Sequence, residues 1–260
     1  MEPFIHLHVH TQYSLLDGQA SIDALIGKAQ KDGMNAIAVT DHMFGIKEFF
    51  NKVSKKNSKP LDTIKAYEKE LKGLQGKTEL TPEEQTQLQE LPGKIEEEKK
   101  QLFKPIFGCE CYCARNGRAN KNTKEDRSGW HLIVLAKNLN GYKNLIKMVS
   151  ISWTEGFYGR PRIDKELLEK YHEDLIVCSA CLGGEIPQHI MHGRIDKAEE
   201  SILWFKKLFG EDYYLEMQRH ETHDPNADNT TYPKQQEVNK VLIELAHKHN
   251  IKLIASNDVH

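Results

Sequence analysis

A chain of 260 residues with 28% charged and 38% hydrophobic side chains can bury the core of one large α/β domain or two small ones. Its formal net charge of −2 gives no general attraction to nucleic acid or membranes, so any contact with phosphate has to be local. With no apolar run of membrane-spanning length and no signal-peptide pattern, the cytoplasm is the expected compartment and no membrane partner is expected.

In chain order, residues 4–11 form a short apolar strand carrying histidines. Ser21 has the chemistry of an N-cap for a helix with Ile22, Leu25, Ile26 and Ala29 on one face, ending near Gly33. Ala36–Val39 is a continuous apolar strand that stops at Thr40-Asp41-His42. Strand, helix and buried strand make a βαβ unit, which implies a parallel sheet covered on both faces. Residues 51–104 break the rhythm: Lys, Glu and Gln dominate, while Ile64, Tyr67, Leu71, Leu74 and then Leu88, Leu91, Ile95 keep three-four spacing. Thr81-Pro82-Glu83-Glu84 supplies a cap, a first-turn proline and a capping-box glutamate. The stretch is expected to be an inserted helical hairpin, kinked or broken at Pro92-Gly93. It is either a solvated decoration or a docking surface. Further strands are expected at 106–113, 132–136, 175–177, 214–217 and 251–255, with helices around 142–149, 165–171, 197–209 and 234–249. That alternation favours a barrel or a doubly wound sheet.

Nine potential metal ligands sit in short motifs along these elements. Residues i and i+2 of a strand share a face, so His8 with His10, and Asp258 with His260, can each serve one ion or two adjacent ions. An isolated HxH equally suits a polar pocket. Asp17 precedes Gly18 in a loop and is a ligand or an ordinary turn aspartate. His42 and Asp258 follow apolar runs, the strand-end position where α/β barrels place functional groups. Glu110 lies inside an apolar strand, where a carboxylate is unfavourable unless paired or metal-bound. His131 opens its strand rather than closing it, so the strand-end rule does not place it. Cys181 sits in the turn Cys181-Leu182-Gly183-Gly184 as a thiolate ligand or a buried structural thiol. Cys109, Cys111 and Cys113 alternate along one strand as small apolar residues, and disulfides are not expected. Arg160-Pro161-Arg162, after Gly156-Phe157-Tyr158-Gly159, is a basic and aromatic loop able to hold a phosphate or a stacked base, or else a plain surface loop.

These motifs together resemble the PHP (polymerase and histidinol phosphatase) family. His6-Leu7-His8-Val9-His10-Thr11, Ser14-Leu15-Leu16-Asp17-Gly18 and Thr40-Asp41-His42 carry the general likeness. Gly108-Cys109-Glu110, His131-Leu132, Gly156-Phe157-Tyr158, Pro161-Arg162-Ile163-Asp164, Ser179-Ala180-Cys181-Leu182-Gly183-Gly184-Glu185 and Asn257-Asp258-Val259-His260 resemble the branch attached to bacterial replicative polymerases. The resemblance implies a distorted seven-stranded (β/α) barrel over residues 1–260, with 51–104 as a helical insertion. It implies up to three divalent ions (zinc, manganese or iron) held by His8, His10, Asp17, His42, Glu110, His131, Cys181, Asp258 and His260, with His6 outside the set. It further implies metal-dependent 3′–5′ exonucleolytic chemistry on a DNA 3′ end. Asp17, His42, Glu110 and Asp258 would then be catalytic and Arg160 or Arg162 would steady the phosphate. The remaining domains of a polymerase subunit and the replication machinery are the implied partners. Two other readings stay open: ions that only brace the fold, and a free-standing phosphatase for a small phosphate ester.

Overall fold

The structure, a computed structural model, describes residues 4–15, 17–42, 45–224, 226 and 229–260, so Leu16 of the second motif lies outside the described residues. Contacts part the chain into two compact units: residues 1–5, 21–37 and 46–105 form one, and residues 6–20, 38–45 and 106–260 form the other. The nine candidate ligands all fall in the second. No helix among the described residues is long and apolar enough to cross a membrane.

In the first unit, helix α1 (Ile22–Lys31) starts where Ser21 accepts a hydrogen bond from the Ala24 amide, and it buries Ile22, Ile26 and Ala29. Strand β1 (Ala36–Val39) is buried at every position and runs from this unit into the next. Helix α2 (Ile46–Gln75) and helix α3 (Pro82–Lys100) are the expected hairpin, with Phe49, Val53, Ile64 and Leu74 buried on the first arm and Leu91 and Ile95 on the second. The capping box closes as the sequence predicts, with the Thr81 amide donating to Glu84 at 2.9 Å and the Glu84 amide donating to Thr81 Oγ1 at 3.3 Å. Of the kink or break expected at Pro92-Gly93, the break does not form, since α3 is continuous through Pro92. Proline removes one ladder bond, but the buried neighbours Leu91 and Ile95 anchor the helix on either side.

The second unit is built on a curled sheet of seven strands. Strand β2 (Lys104–Cys113) is followed by β3 (Trp130–Ala136), helix α4 (Leu139–Thr154), β4 (Arg162–Ile163) and α5 (Lys165–Tyr171). Then come β5 (Leu175–Cys178), α6 (Glu185–Met191), α7 (Ile195–Phe209), β6 (Tyr213–Gln218), α8 (Thr231–His249) and β7 (Lys252–Ser256). The strand order is β1-β2-β3-β5-β6-β7, with β4 beside β2. This is a mixed α/β architecture of the (β/α)-barrel kind that the resemblance implies. The sheet is not purely parallel, because β3 runs antiparallel to both β2 and β5. The β2–β3 connection contains only a three-residue 3-10 turn, so no crossover helix returns the chain to a parallel start.

Both faces of these strands are covered. Alternate residues Leu132 and Val134 join Cys109, Cys111, Val177 and Leu215 in an outer core with the helices, while Ile133 and Leu135 join Ala38, Cys178 and Ala180 in an inner one. The expected first strand appears as an extended segment that is bonded on both sides. His6 and Val9 carbonyls accept from the Ala38 and Thr40 amides, and His8 and His10 exchange hydrogen bonds with Val259. Residues 6–10 thereby join the end of β1 to the stretch after β7.

Candidate metal centre

The strand geometry brings the nine side chains to one rim. His8 and His10 point inward from the joining segment and are almost fully buried. His42 follows β1, Cys181 follows β5, and Asp258 and His260 follow β7. The placement of His131, unexplained by sequence, follows from antiparallel pairing. Because β3 reverses direction, its first residues lie beside the last residues of β2, with His131 opposite Tyr112. Gly183 packs against the His131 ring, where an added Cβ would lie 3.0 Å from its Cγ, so the turn after Cys181 needs glycine at this point.

Within the rim, three overlapping groups each bring ligand atoms within 4.8 Å of one another: His10, Asp17, His42 and Glu110; His8, His10 and Asp258; and Glu110, His131 and Cys181. Glu110 links them. Its Oε2 is 3.4 Å from His10 Nε2 and 3.6 Å from His42 Nε2, while its Oε1 is 2.7 Å from His131 Nδ1 and 3.4 Å from His8 Nε2. His260 stands beside the first two groups, with Nε2 3.1 Å from Asp258 Oδ1 and Nδ1 3.3 Å from Asp17 Oδ1, and its ring is stacked on His10. His6 belongs to none of the groups.

Three histidines are oriented by hydrogen bonds on their outer nitrogens. His42 Nδ1 donates to the Glu110 backbone carbonyl at 3.0 Å, and His8 Nδ1 to the Glu216 carboxylate at 3.0 Å. The Ser14 hydroxyl donates to Asp41 at 2.8 Å, so its oxygen accepts from His10 Nδ1, also at 2.8 Å. Each ring then turns Nε2 inward, where it offers a lone pair to a cation or, once protonated, donates to a carboxylate. His8 Nε2, His10 Nε2 and Asp258 Oδ1 converge at 3.0 to 3.7 Å, and that buried carboxylate oxygen faces His8 and His260 nitrogens that donate to it only when protonated. Converging lone pairs in a buried space repel unless a cation or proton lies between them. The donor set of imidazoles, carboxylates and one thiol therefore suits borderline divalent ions.

The electrostatics agree. Burial disfavours the charged form of His8, yet Glu216 and hydrogen bonds to Asp258 and Glu110 hold its pKa well above the ordinary value. Burial raises the Glu110 carboxyl, but hydrogen bonds from His10, His131 and His8 outweigh it and hold the group well below the usual range. Asp258 is likewise lowered, burial being outweighed by His260 and His8. Burial, with Glu110 and Asp258 nearby, keeps the Cys181 thiol well above its normal pKa, so a thiolate here requires a cation. Two residues at this rim, Ala180 at φ 62° and Asp258 at φ 48°, occupy the left-handed region that side chains with a Cβ rarely adopt, as do Asp174 and Asn250 away from it.

The two arginines part company. Arg160 is exposed, with its guanidinium carbon 5.1 Å from the centre of the Tyr112 ring, which in turn stacks on His42. Arg162, expected to steady a phosphate, is fully buried and donates to the carbonyls of Gly156, Asn120, Asp126 and Arg118. A guanidinium committed to four carbonyls has no free edge for a phosphate, so its role is to bind two loops together. Arg162→Met should lose at least about 3 kcal/mol of stability, since each buried acceptor left unpaired costs roughly 1–3 kcal/mol. An unchanged urea midpoint would contradict that role.

Several participants were not legible in the motifs. Asp41 is no ligand; it accepts from the Thr11 amide, the Thr11 hydroxyl and Ser14, and so holds the His10 loop. Tyr112 hydrogen-bonds His42 Nε2 at 3.2 Å, and its hydroxyl pKa is pushed up to about 12, mainly by burial. Glu216 lies inside the apolar run 214–217, where a charge on a buried strand is the same cue that marks Glu110.

The PHP domain family matches residues 6–220. The DNA polymerase III subunit alpha of Borreliella burgdorferi is 42% identical over 262 residues, covering 99% of this chain and 18% of that protein. The subunits of that name from Aquifex aeolicus and Thermus aquaticus are 36% and 33% identical, with 99% of this chain covered and 18% and 17% of theirs. The chain thus spans less than a fifth of the length of these relatives.

Proposed function

Because the chain belongs to the PHP domain family, as the PHP domain of a DNA polymerase III alpha subunit, we propose that the rim cluster holds up to three divalent ions (zinc, manganese or iron) and hydrolyses the terminal phosphodiester of a DNA 3′ end. The observation that carries this reading is Glu110, whose two oxygens face separate groups of ligand atoms as a bridging carboxylate would. Divalent ions bound there supply Lewis acidity toward the phosphate and acidify water at neutral pH.

The chain's own groups do the rest. Asp258, held ionised and at the rim, accepts the proton of the attacking water. His42, with its Nδ1 proton tied to a carbonyl, turns Nε2 toward the centre, where the Tyr112 hydroxyl lies 3.2 Å away. Arg160 presents positive charge beside Tyr112, where a phosphate approaching His42 would pass. Asp17, His10 and Glu110 share a ligand group with His42. The relatives' names make the other domains of such a subunit, and the replication machinery, the natural partners, with DNA as substrate.

The test is direct. The purified chain, reconstituted with each metal, is given an oligonucleotide labelled at its 5′ end, and the reading predicts a ladder shortening from the 3′ end that chelator stops. If metal is bound and no ladder appears with any of the three ions, the nuclease reading fails and the ions brace the fold. A second expectation concerns Glu216. Glu216→Gln keeps the shape but weakens the hold on His8 Nδ1, and should lower metal affinity about 10–100-fold in chelator competition. Equal affinities would show that Glu216 does not orient the ligand.

A further inference from the structure

The basic and aromatic loop singled out in the sequence is not absorbed by the metal centre, apart from Arg160. Of its two aromatic residues, Phe157 is exposed and Tyr158 half-buried. Trp153, in the last turn of α4, and Phe157, just beyond it, are stacked with ring centres 5.4 Å apart and an interplanar angle of 24°. They remain 39% and 46% exposed, a large apolar area for solvent to cover. The buried Arg162 ties this loop, through the Gly156 carbonyl, to the carbonyls of Arg118, Asn120 and Asp126 in the loop between β2 and β3. Gly159, at φ 73°, seals the junction, because a Cβ there would lie 2.8 Å from the Arg127 carbonyl. Two loops thus make one rigid surface.

The second loop brings the charge. Lys121, Lys124 and Arg127 are exposed on it, and Arg160 is exposed on the first. From Arg115 to Arg127 that loop carries five basic residues against two acids, Glu125 and Asp126, and Glu155 beside the first loop pairs with Arg118 at 3.1 Å. Local charge is therefore basic on a chain whose total is −2. From Arg160 the surface runs on to Tyr112 and His42 of the rim.

We propose that this surface is a binding track for single-stranded nucleic acid, in which Trp153 and Phe157 stack a base while Lys121, Lys124, Arg127 and Arg160 follow the phosphates toward the rim. Bases offer a π-face whatever their identity, and exposed aromatic side chains beside arginine and lysine are the chemistry that recognises them. An acidic peptide would match the charge but not the stacked pair. The direction of the track rests on the nuclease reading, whereas the binding itself needs neither metal nor catalysis.

Binding of fluorescent oligothymidylate to the 260-residue chain is measured by anisotropy in chelator at low salt, so that no cleavage occurs. Trp153→Ala and Phe157→Ala should each weaken binding about 10-fold, while Trp153→Phe retains most of it. Because both side chains are exposed, melting temperatures should stay at the unmodified value, which separates lost stacking from lost folding. Lys121→Ala combined with Lys124→Ala should reduce the slope of log affinity against log salt by about 1.4, the value for two phosphate contacts on a single strand. The proposal is overturned if the alanine variants bind like the unmodified chain, if polyglutamate competes as well as the oligonucleotide, or if no binding occurs. A chain that binds the oligonucleotide in this way but never shortens it refutes the nuclease reading and leaves the track standing.

Discussion

Replacing His8 and His10 together by alanine should remove most bound transition metal and the thermal stabilisation that metal confers. The two imidazoles contribute to two of the three ligand groups, and both are nearly fully buried. Metal that binds only the native state stabilises it by about 4 kcal/mol at a thousandfold excess over its dissociation constant. For a chain of this size that corresponds to a shift on the order of 10 °C in melting temperature. The unmodified chain should show that rise on reconstitution and the double variant should not. Elemental analysis alongside the melting curves decides the matter. A variant that keeps its metal and its metal-dependent shift would remove His8 and His10 from the ligand set.

Asp258→Asn should cost on the order of 100-fold to 10,000-fold in 3′ nuclease rate with the fold intact, the range expected when a positioned proton acceptor is lost. The substitution preserves volume and tolerates the left-handed backbone that this residue occupies, since asparagine adopts positive φ at least as readily as aspartate. The carboxylate it removes is the one whose buried oxygen lies 3.0 Å from His8 Nε2 and 3.1 Å from His260 Nε2. His42→Ala, at a different point of the rim, should abolish the same activity. Activity surviving in both variants would mean that it belongs to a contaminant rather than to this chain.

The two compact units bear differently on these expectations. The helical arms of α2 and α3 belong to the unit without candidate ligands, so substitutions on their exposed faces should leave metal content unchanged. The aromatic and basic surface belongs to the unit with the ligands, as does the loop-binding Arg162. Loss of Arg162 should therefore disturb the surface around Phe157 and Arg160 before it disturbs His8 or His10, which have their own supports in Glu216 and Ser14.

What the sequence determined by itself is local. The capping box at Thr81 and Glu84, the cap at Ser21, the buried strand at Ala36–Val39 and the i, i+2 pairing of His8 with His10 depend on neighbours a few residues apart, and periodicity exposes them. Family motifs add an expectation for residues whose spacing alone leaves alternatives open, such as Asp17 and Cys181. The tertiary structure decided what depends on partners distant in the chain. His131 reaches the rim only because β3 runs antiparallel to β2, a reversal that the run of apolar residues does not encode. Glu216 supports His8 across 208 residues of sequence, and no local pattern marks such a pair. Arg162 illustrates the same limit in reverse. Its neighbours in sequence suggest a phosphate hook, but four backbone carbonyls from two loops surround it, and carbonyl positions follow from the fold rather than from side-chain identity.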